Sequence, residues 1–153
     1  MKSEQKKVAV VDTGLIIEYL TIDSENTKQK GYKEFLDKNL FRNKQISQIY
    51  ISFLTKTELL YIVCRTKGWS KAKEIVDHIV SNFAVIRDKE IDDLAALIKC
   101  KIPVALPDCF NLSIAVLYGM PVYFLEEKEF TKEISSLIKS ELKVDLKLLR
   151  KME

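Results

Sequence analysis

Four short apolar runs rich in β-branched side chains, VAVV at 8–11, QIYIS at 48–52, FAVIR at 83–87 and PVYFL at 121–125, alternate with segments of helical periodicity. VAVV is continuous rather than alternating, as expected of a strand covered on both faces. Strands separated by helices must cross over from one to the next, which gives a parallel sheet. The pattern predicts an α/β fold of three layers: a twisted parallel sheet of four to five strands flanked by helices. ELKVDLKLL, near the C-terminus, supplies the last strand. In such sheets ligands gather at the carboxyl ends of the strands.

Helical patterns fill the intervals. GLIIEYL reads as a short helix, and the lysine-rich stretch from Asn26 to Asn39 as an exposed helix or hairpin. FLTKTELLYIVCRTKG reads as a helix apolar on most sides and stopped by Gly68. Ser70 starts the next, with Ala72, Ile75, Val76, Ile79 and Val80 at helical spacing. Asp88 caps a helix carrying Ile91, Leu94, Ala95 and Ile98, and CFNLSIAVLYG ends at Gly119.

With 153 residues, no repeat and no low-complexity linker, a single domain is expected over 1–153, with a core at 7–131 and a C-terminal strand or tail at 132–153. The net charge of +3 permits a polyanionic partner without demanding one. Cys64, Cys100 and Cys109 are odd in number and lack C-x-x-C spacing, so neither a disulfide framework nor a zinc site is indicated. The start MKSEQKKVAVV carries too short an apolar run for a signal peptide, and no stretch approaches the ~18 apolar residues of a membrane span. The expected setting is the reducing cytoplasm.

The functional signal lies in acids at strand ends and helix starts. Asp12 ends the first strand, and Glu58 sits in the second turn after the second. Asp108 opens the helix after Pro107, and Glu126 and Glu127 follow PVYFL. Each has an ordinary explanation: Asp12 and Asp108 as N-caps, Thr55-x-x-Glu58 as a capping box, Glu126 and Glu127 as first-turn acids. Jointly these explanations weaken. Glu58 is followed by LLYIVC, a context in which its helix should be buried on nearly every side. An unpaired buried glutamate costs several kcal/mol or takes up a proton. One hard divalent cation, Mg²⁺ or Mn²⁺, would answer for all the clustered carboxylates.

The single histidine, His78, lies beside Asp77 on the polar side of its helix, which disfavours Ser-His-Asp and Cys-His mechanisms. With four glycines and no phosphate-binding loop motif, nucleotide folds are disfavoured too. An all-carboxylate centre needs neither, and can support in-line displacement at phosphorus.

The order VVDTG, SFLTKTELL, PDCFNLSIA and PVYFLEEKEF resembles PIN-domain nucleases, especially the small prokaryotic VapC-type toxins of toxin–antitoxin pairs, over residues 7–131. By that resemblance Asp12, Glu58 and Asp108 match the first three acids. The fourth motif, T-x-D-x-x-F, falls on Leu125, Glu127 and Phe130. Leu125 lacks the hydroxyl, Glu127 is one methylene longer than aspartate, and Glu126 competes with it. The resemblance implies a Mg²⁺- or Mn²⁺-dependent endoribonuclease leaving 5′-phosphate and 3′-hydroxyl ends. Asp12, Glu58, Asp108 and Glu127 would hold the metal. Thr13, Asn111 and Glu126 would be auxiliary, Asn111 through a water of the metal site. It also implies a homodimer and a cognate antitoxin as partners.

Candidates to hold RNA are Arg65, Lys67, Lys71 and Lys73 around TKGWSKAK, with Trp69 stacking on a base. The competing reading is a solvated turn with Trp69 half-buried; Arg42, Lys44 and the tail KLLRK are equally ambiguous. A haloacid-dehalogenase-like phosphatase would need an aspartate where Gly14 stands, and FAVIRD offers little to a receiver domain. The other alternative is a PIN-like RNA-binding or protein-interaction module whose fourth motif is too eroded for catalysis.

Overall fold

In the computed structural model, which describes residues 7–152, five strands form one parallel sheet in the order β3-β2-β1-β4-β5. The strands are β1 (Lys7–Val11), β2 (Ile46–Ser52), β3 (Ala84–Ile86), β4 (Val122–Leu125) and β5 (Leu146–Leu149). The helices are α1 (Thr13–Leu20), α2 (Thr27–Leu36, continued by a π turn over Asp37–Phe41), α3 (Phe53–Lys67), α4 (Trp69–Val80), α5 (Lys89–Lys101), α6 (Leu106–Tyr118) and α7 (Lys132–Leu142). The basic start MKSEQK lies outside the described residues, and among those described no single helix is long and apolar enough to cross a membrane.

The period of two along the strands divides the core into two layers. Val10, Val122, Phe124 and Leu146 join a cluster with Ile91, Ile98, Leu112 and Ile138 from α5, α6 and α7. Their neighbours Val11, Ile51, Leu125 and Leu149 join a second cluster with Leu15, Leu36, Leu59 and Val76 from α1–α4. The three-layer expectation holds. The chain leaves β1 toward β2 and β3, then returns across the sheet to β4 on the other side of β1. That reversal between β1 and β4 is a topological switch point, where the loops part and leave a crevice.

Several local expectations need correction. Of the two readings for the stretch from Asn26, helix or hairpin, the helix holds, started by the Asn26 side chain accepting from the N–H groups of Lys28 and Gln29. Residues 132–153 hold more than a strand and tail. Thr131 caps α7 at Ile134 N–H, and Ile138 is fully buried. α3 begins at Phe53, capped by Ser52 Oγ accepting from Thr55 N–H at 3.2 Å, so Thr55-x-x-Glu58 is not its capping box. Nor is α3 buried nearly all round: only Thr55 and Leu59 are, while Tyr61 is 45% exposed. α4 starts at Trp69 directly after Gly68, whose φ of 82° is open to glycine and strained for other residues. Asp88 caps α5 as expected.

Candidate active site

Asp12 stands where β1 passes into α1. Its N–H donates to Tyr123 O of β4, which ties the first strand's end to the fourth's. It occupies the N-cap position of α1 yet its side chain makes no cap hydrogen bond. Asp108 is not an N-cap either. Pro107, lacking an N–H, fits the first turn of a helix that already begins at Leu106, and Ala105 takes the cap position. Each carboxylate still has one backbone N–H favouring its charged form, that of Gly14 for Asp12 and that of Ala105 for Asp108, a contribution that burial outweighs.

These two acids line one cleft of about 270 Å³ with Glu58, Glu127 and Glu129. Thr13, Gly14, Ile17, Ile62, Ala105 and Pro107 complete its walls, and among the described residues no basic side chain lines it. The cleft opens at the β1/β4 reversal. Glu58 is half-buried, and its Oε1 accepts from Thr13 Oγ1 at 2.8 Å. Glu127 comes from the loop after β4, which is pinned by Phe130 N–H donating to Glu127 O and by the Phe130 ring against Phe124, centroids 4.8 Å apart.

Electrostatics follow from the crowding. Burial, then Asp108, Glu127 and Glu58, push the Asp12 carboxyl from an ordinary 3.8 up to about 8, against a small opposing contribution from the Gly14 N–H. Burial, then Glu127, Glu58 and Glu129, push Asp108 up to about 7. Glu127 is raised as well, by burial and by Glu129, with Lys151 pulling the other way. Carboxyls perturbed this strongly by burial and by one another, grouped in a cleft, mark a candidate functional site.

The donor set suits a hard divalent ion: carboxylate oxygens only, with no soft ligand. Space is kept as well, since a Cβ added at Gly14 would come within 2.9 Å of Asp12 Oδ2. Among the described residues no three acidic, histidine or cysteine side chains close around one point as a finished ligand shell.

Other expected members fall in different places. Glu126 is exposed and does not line the cleft; its N–H pairs with Leu149 O at 2.7 Å. Of the two, only Glu127 lines the cleft. Leu125 is 4% exposed, in the second core layer, and would lie 3.6 Å from a Cβ at Gly14. Asn111 is 1% exposed, and neither side-chain atom has a hydrogen-bond partner. Glu129 has no motif to mark it: two residues beyond Glu127, it reaches the same cleft only because the loop turns between them. Ser52, 1% exposed, is likewise unmarked by sequence reasoning, and Thr55, also 1% exposed, is marked only as a capping residue.

Among the basic candidates, Arg65 follows Glu58 and Ile62 on one face of α3 and lies over the Tyr61 ring, 5.0 Å from its centroid. Lys67 and Lys71 are exposed, and Trp69 is 60% exposed rather than half-buried. Lys73 is paired with Asp77 at 3.5 Å, Arg42 lies 3.8 Å from Asp37, and Lys44 is exposed. In the tail, Lys147 pairs with Asp145 and Arg150 covers the rings of Phe35 and Tyr32.

The family model of the PIN domain matches residues 9–133, most of the chain and every acid of the cleft. The chain belongs to the PIN domain family. Solved structures share the fold of this PIN domain over nearly its whole length. DNA-bound VapBC from Salmonella typhimurium has a TM-score of 0.60 at 17% identity, covering 94% of this chain and 98% of that one. VapBC-1 from nontypeable Haemophilus influenzae has a TM-score of 0.59 at 13% identity, covering 94% and 97%. A toxin–antitoxin complex from Klebsiella pneumoniae has a TM-score of 0.55 at 19% identity, covering 81% and 91%. At these identities the likeness is one of fold. No curated protein matches the chain.

Proposed function

We infer that this PIN domain is a Mg²⁺- or Mn²⁺-dependent endoribonuclease, the toxin of a toxin–antitoxin pair, working in the cytoplasm as a homodimer restrained by an antitoxin. One observation carries the reading: acids from four separate stretches of chain line one cleft at the β1/β4 switch point, with no cation among its walls in the described residues. The VapBC fold neighbours support the antitoxin as partner. Asp12, Glu58, Asp108 and Glu127 would hold the metal. When bound, a divalent ion there lowers the pKa of a water and offsets charge developing at the phosphodiester.

The chain's own residues do the rest. Thr13 orients Glu58, Asn111 offers its buried amide beside the turn that carries Asp108, and Glu129 adds charge at the rim. Glu126, exposed and off the cleft, is left as the weakest auxiliary candidate. RNA would approach along α3, with Arg65 attracting phosphates, Lys67 and Lys71 extending the positive track, and Trp69 stacking on a base.

The purified protein should cut single-stranded RNA in Mn²⁺ or Mg²⁺, stop in EDTA, and resume when metal is returned. RNA binding without metal-dependent turnover would instead identify a non-catalytic binding module. A second expectation concerns Gly14. Gly14→Ala drives a methyl toward Asp12 Oδ2 and should lower turnover at least about tenfold, since small misplacement at a reacting centre is costly. Its melting temperature should not fall, because alanine is favoured over glycine in a helix by about 1 kcal/mol. Turnover equal to the parent protein's would mean that this space is not needed.

A further inference from the structure

The register of the sheet brings the carboxyl ends of β1, β2 and β3 to one level. Val10 pairs with Tyr50, Tyr50 with Ala84, and Ser52 with Ile86. Asp12, two residues past Val10, therefore stands level with Ser52 and Ile86, and Arg87 leaves β3 one residue later. At about 4.8 Å between neighbouring strands, the Arg87 backbone lies roughly 10 Å from that of Asp12, with the end of β2 between them. Rings fill this interval. Phe53, the first residue of α3, meets Phe110 of α6 edge to face, with centroids 5.4 Å apart and planes at 88°. α3 packs into one core layer and α6 into the other, so the pair closes the two layers over the end of β2. The Arg87 guanidinium lies over the Phe53 ring, 4.7 Å from its centroid.

A cation over a half-buried ring can serve packing alone. Two facts set this one apart. Arg87 is exposed, and among the described residues it forms no ion pair, although five acids line the neighbouring cleft. Stacking also leaves the edge of the guanidinium unused, and its planar fork of N–H groups fits a phosphate. We propose that Arg87, seated on Phe53, binds a phosphate of the RNA strand next to the scissile one. This rests on the endoribonuclease reading above. Held over the ring rather than over the acids, the guanidinium takes a neighbouring phosphate and leaves the scissile one to the metal site. A phosphodiester entering a cleft lined by acids meets like charge, and a cation beside the cleft offsets it. Arg65 lies toward the other end of α3, so Glu58 stands between two cations along the path of the strand.

The test is steady-state hydrolysis of a single-stranded RNA of roughly eight nucleotides in Mn²⁺ at several salt concentrations, with the full chain and its variants. Arg87→Gln should raise KM about fivefold and leave kcat within about twofold, because the contact lies off the reacting phosphate. The slope of log KM against log salt should flatten by about 0.7, the share of one phosphate contact on a single strand. Lys101→Gln makes the same change of charge at the C-terminal end of α5 and should move neither quantity. Phe53→Leu should raise KM about twofold by removing the stacking face, and should add nothing in the Arg87→Gln background. An unchanged KM and slope for Arg87→Gln, an equal effect from Lys101→Gln, or a Phe53→Leu loss undiminished without Arg87 overturns the proposal. If the parent protein cuts no RNA, the nuclease reading falls by itself. The phosphate site is then judged by fluorescence anisotropy of the same labelled RNA in EDTA, where Arg87→Gln binding no more weakly than the parent overturns it.

Discussion

Asp12→Asn and Asp108→Asn should each cut metal-dependent RNA hydrolysis by about a thousandfold or more, while the metal-free variants melt higher than the parent protein near pH 8. Activity falls because each substitution exchanges an anionic oxygen for a neutral amide at the site that must hold a divalent ion, and removing one preorganised electrostatic group from such a site costs about 10²–10³-fold or more. Stability rises because each carboxylate is buried and crowded by its neighbours' charges, which together outweigh the one backbone N–H that favours its ionised form. Asparagine keeps the shape and removes the repulsion. The two readouts move in opposite directions, which separates a site residue from a framework residue; a framework aspartate would lose both. Hydrolysis assays beside thermal melts in EDTA decide it. Activity that survives either substitution would mean that the reaction occurs elsewhere.

The residues legible in the amino-acid sequence and those hidden from it divide along a physical line. VAVV and PVYFL announce β1 and β4 because strands buried on both faces must be apolar throughout, so the strand end alone locates Asp12, whereas after β4 it leaves Glu126 and Glu127 level and only the resemblance to the fourth motif favours Glu127. Asp108 is legible through Pro107, although the proline sits inside the first turn and shifts the cap to Ala105. Thr55-x-x-Glu58 misleads because two residue triplets can compete for one helix start. Ser52 wins because it ends β2, where the backbone is still extended, at φ −78° and ψ 160°. α7 is hidden although Ile134, Leu137, Ile138 and Leu142 recur at helical spacing after Thr131, because ELKVDLKLL overlaps its end and reads as strand. Glu129 and the hydroxyls of Ser52 and Thr55 depend on loop direction and on contacts between residues about forty apart, such as Thr13 with Thr55. No local pattern encodes those.

Metal-free protein should lose stability as the pH rises from 5 to 8, and Mg²⁺ or Mn²⁺ should restore it at pH 8 far more than at pH 5. The ordinary carboxyl value is 3.8, while the folded chain holds Asp12 to about 8 and Asp108 to about 7. Below about pH 4 both groups are protonated folded and unfolded, and their contribution is complete. Between 4 and 8 the unfolded chain releases its protons first, so folding must retain protons or confine charges together, and stability falls throughout that window. For the pair the loss is on the order of several kcal/mol, a large share of the ~5–15 kcal/mol that holds a domain folded. At roughly 2–4 °C per kcal/mol it is visible in a melt. A divalent ion competes with those protons. At pH 8 it meets carboxylates already inclined to ionise and stabilises by about 2.7 kcal/mol at a hundred times its dissociation constant, whereas at pH 5 it must first displace protons. Melts in EDTA and in Mn²⁺ at matched ionic strength, repeated on Asp12→Asn, test the origin of the effect. The variant should show a shallower pH slope and a smaller gain from metal. A parent protein whose melting temperature is flat from pH 5 to 8, or rises equally with metal at both ends, would mean that these carboxylates do not crowd one another in solution, and the metal site would lose its physical basis.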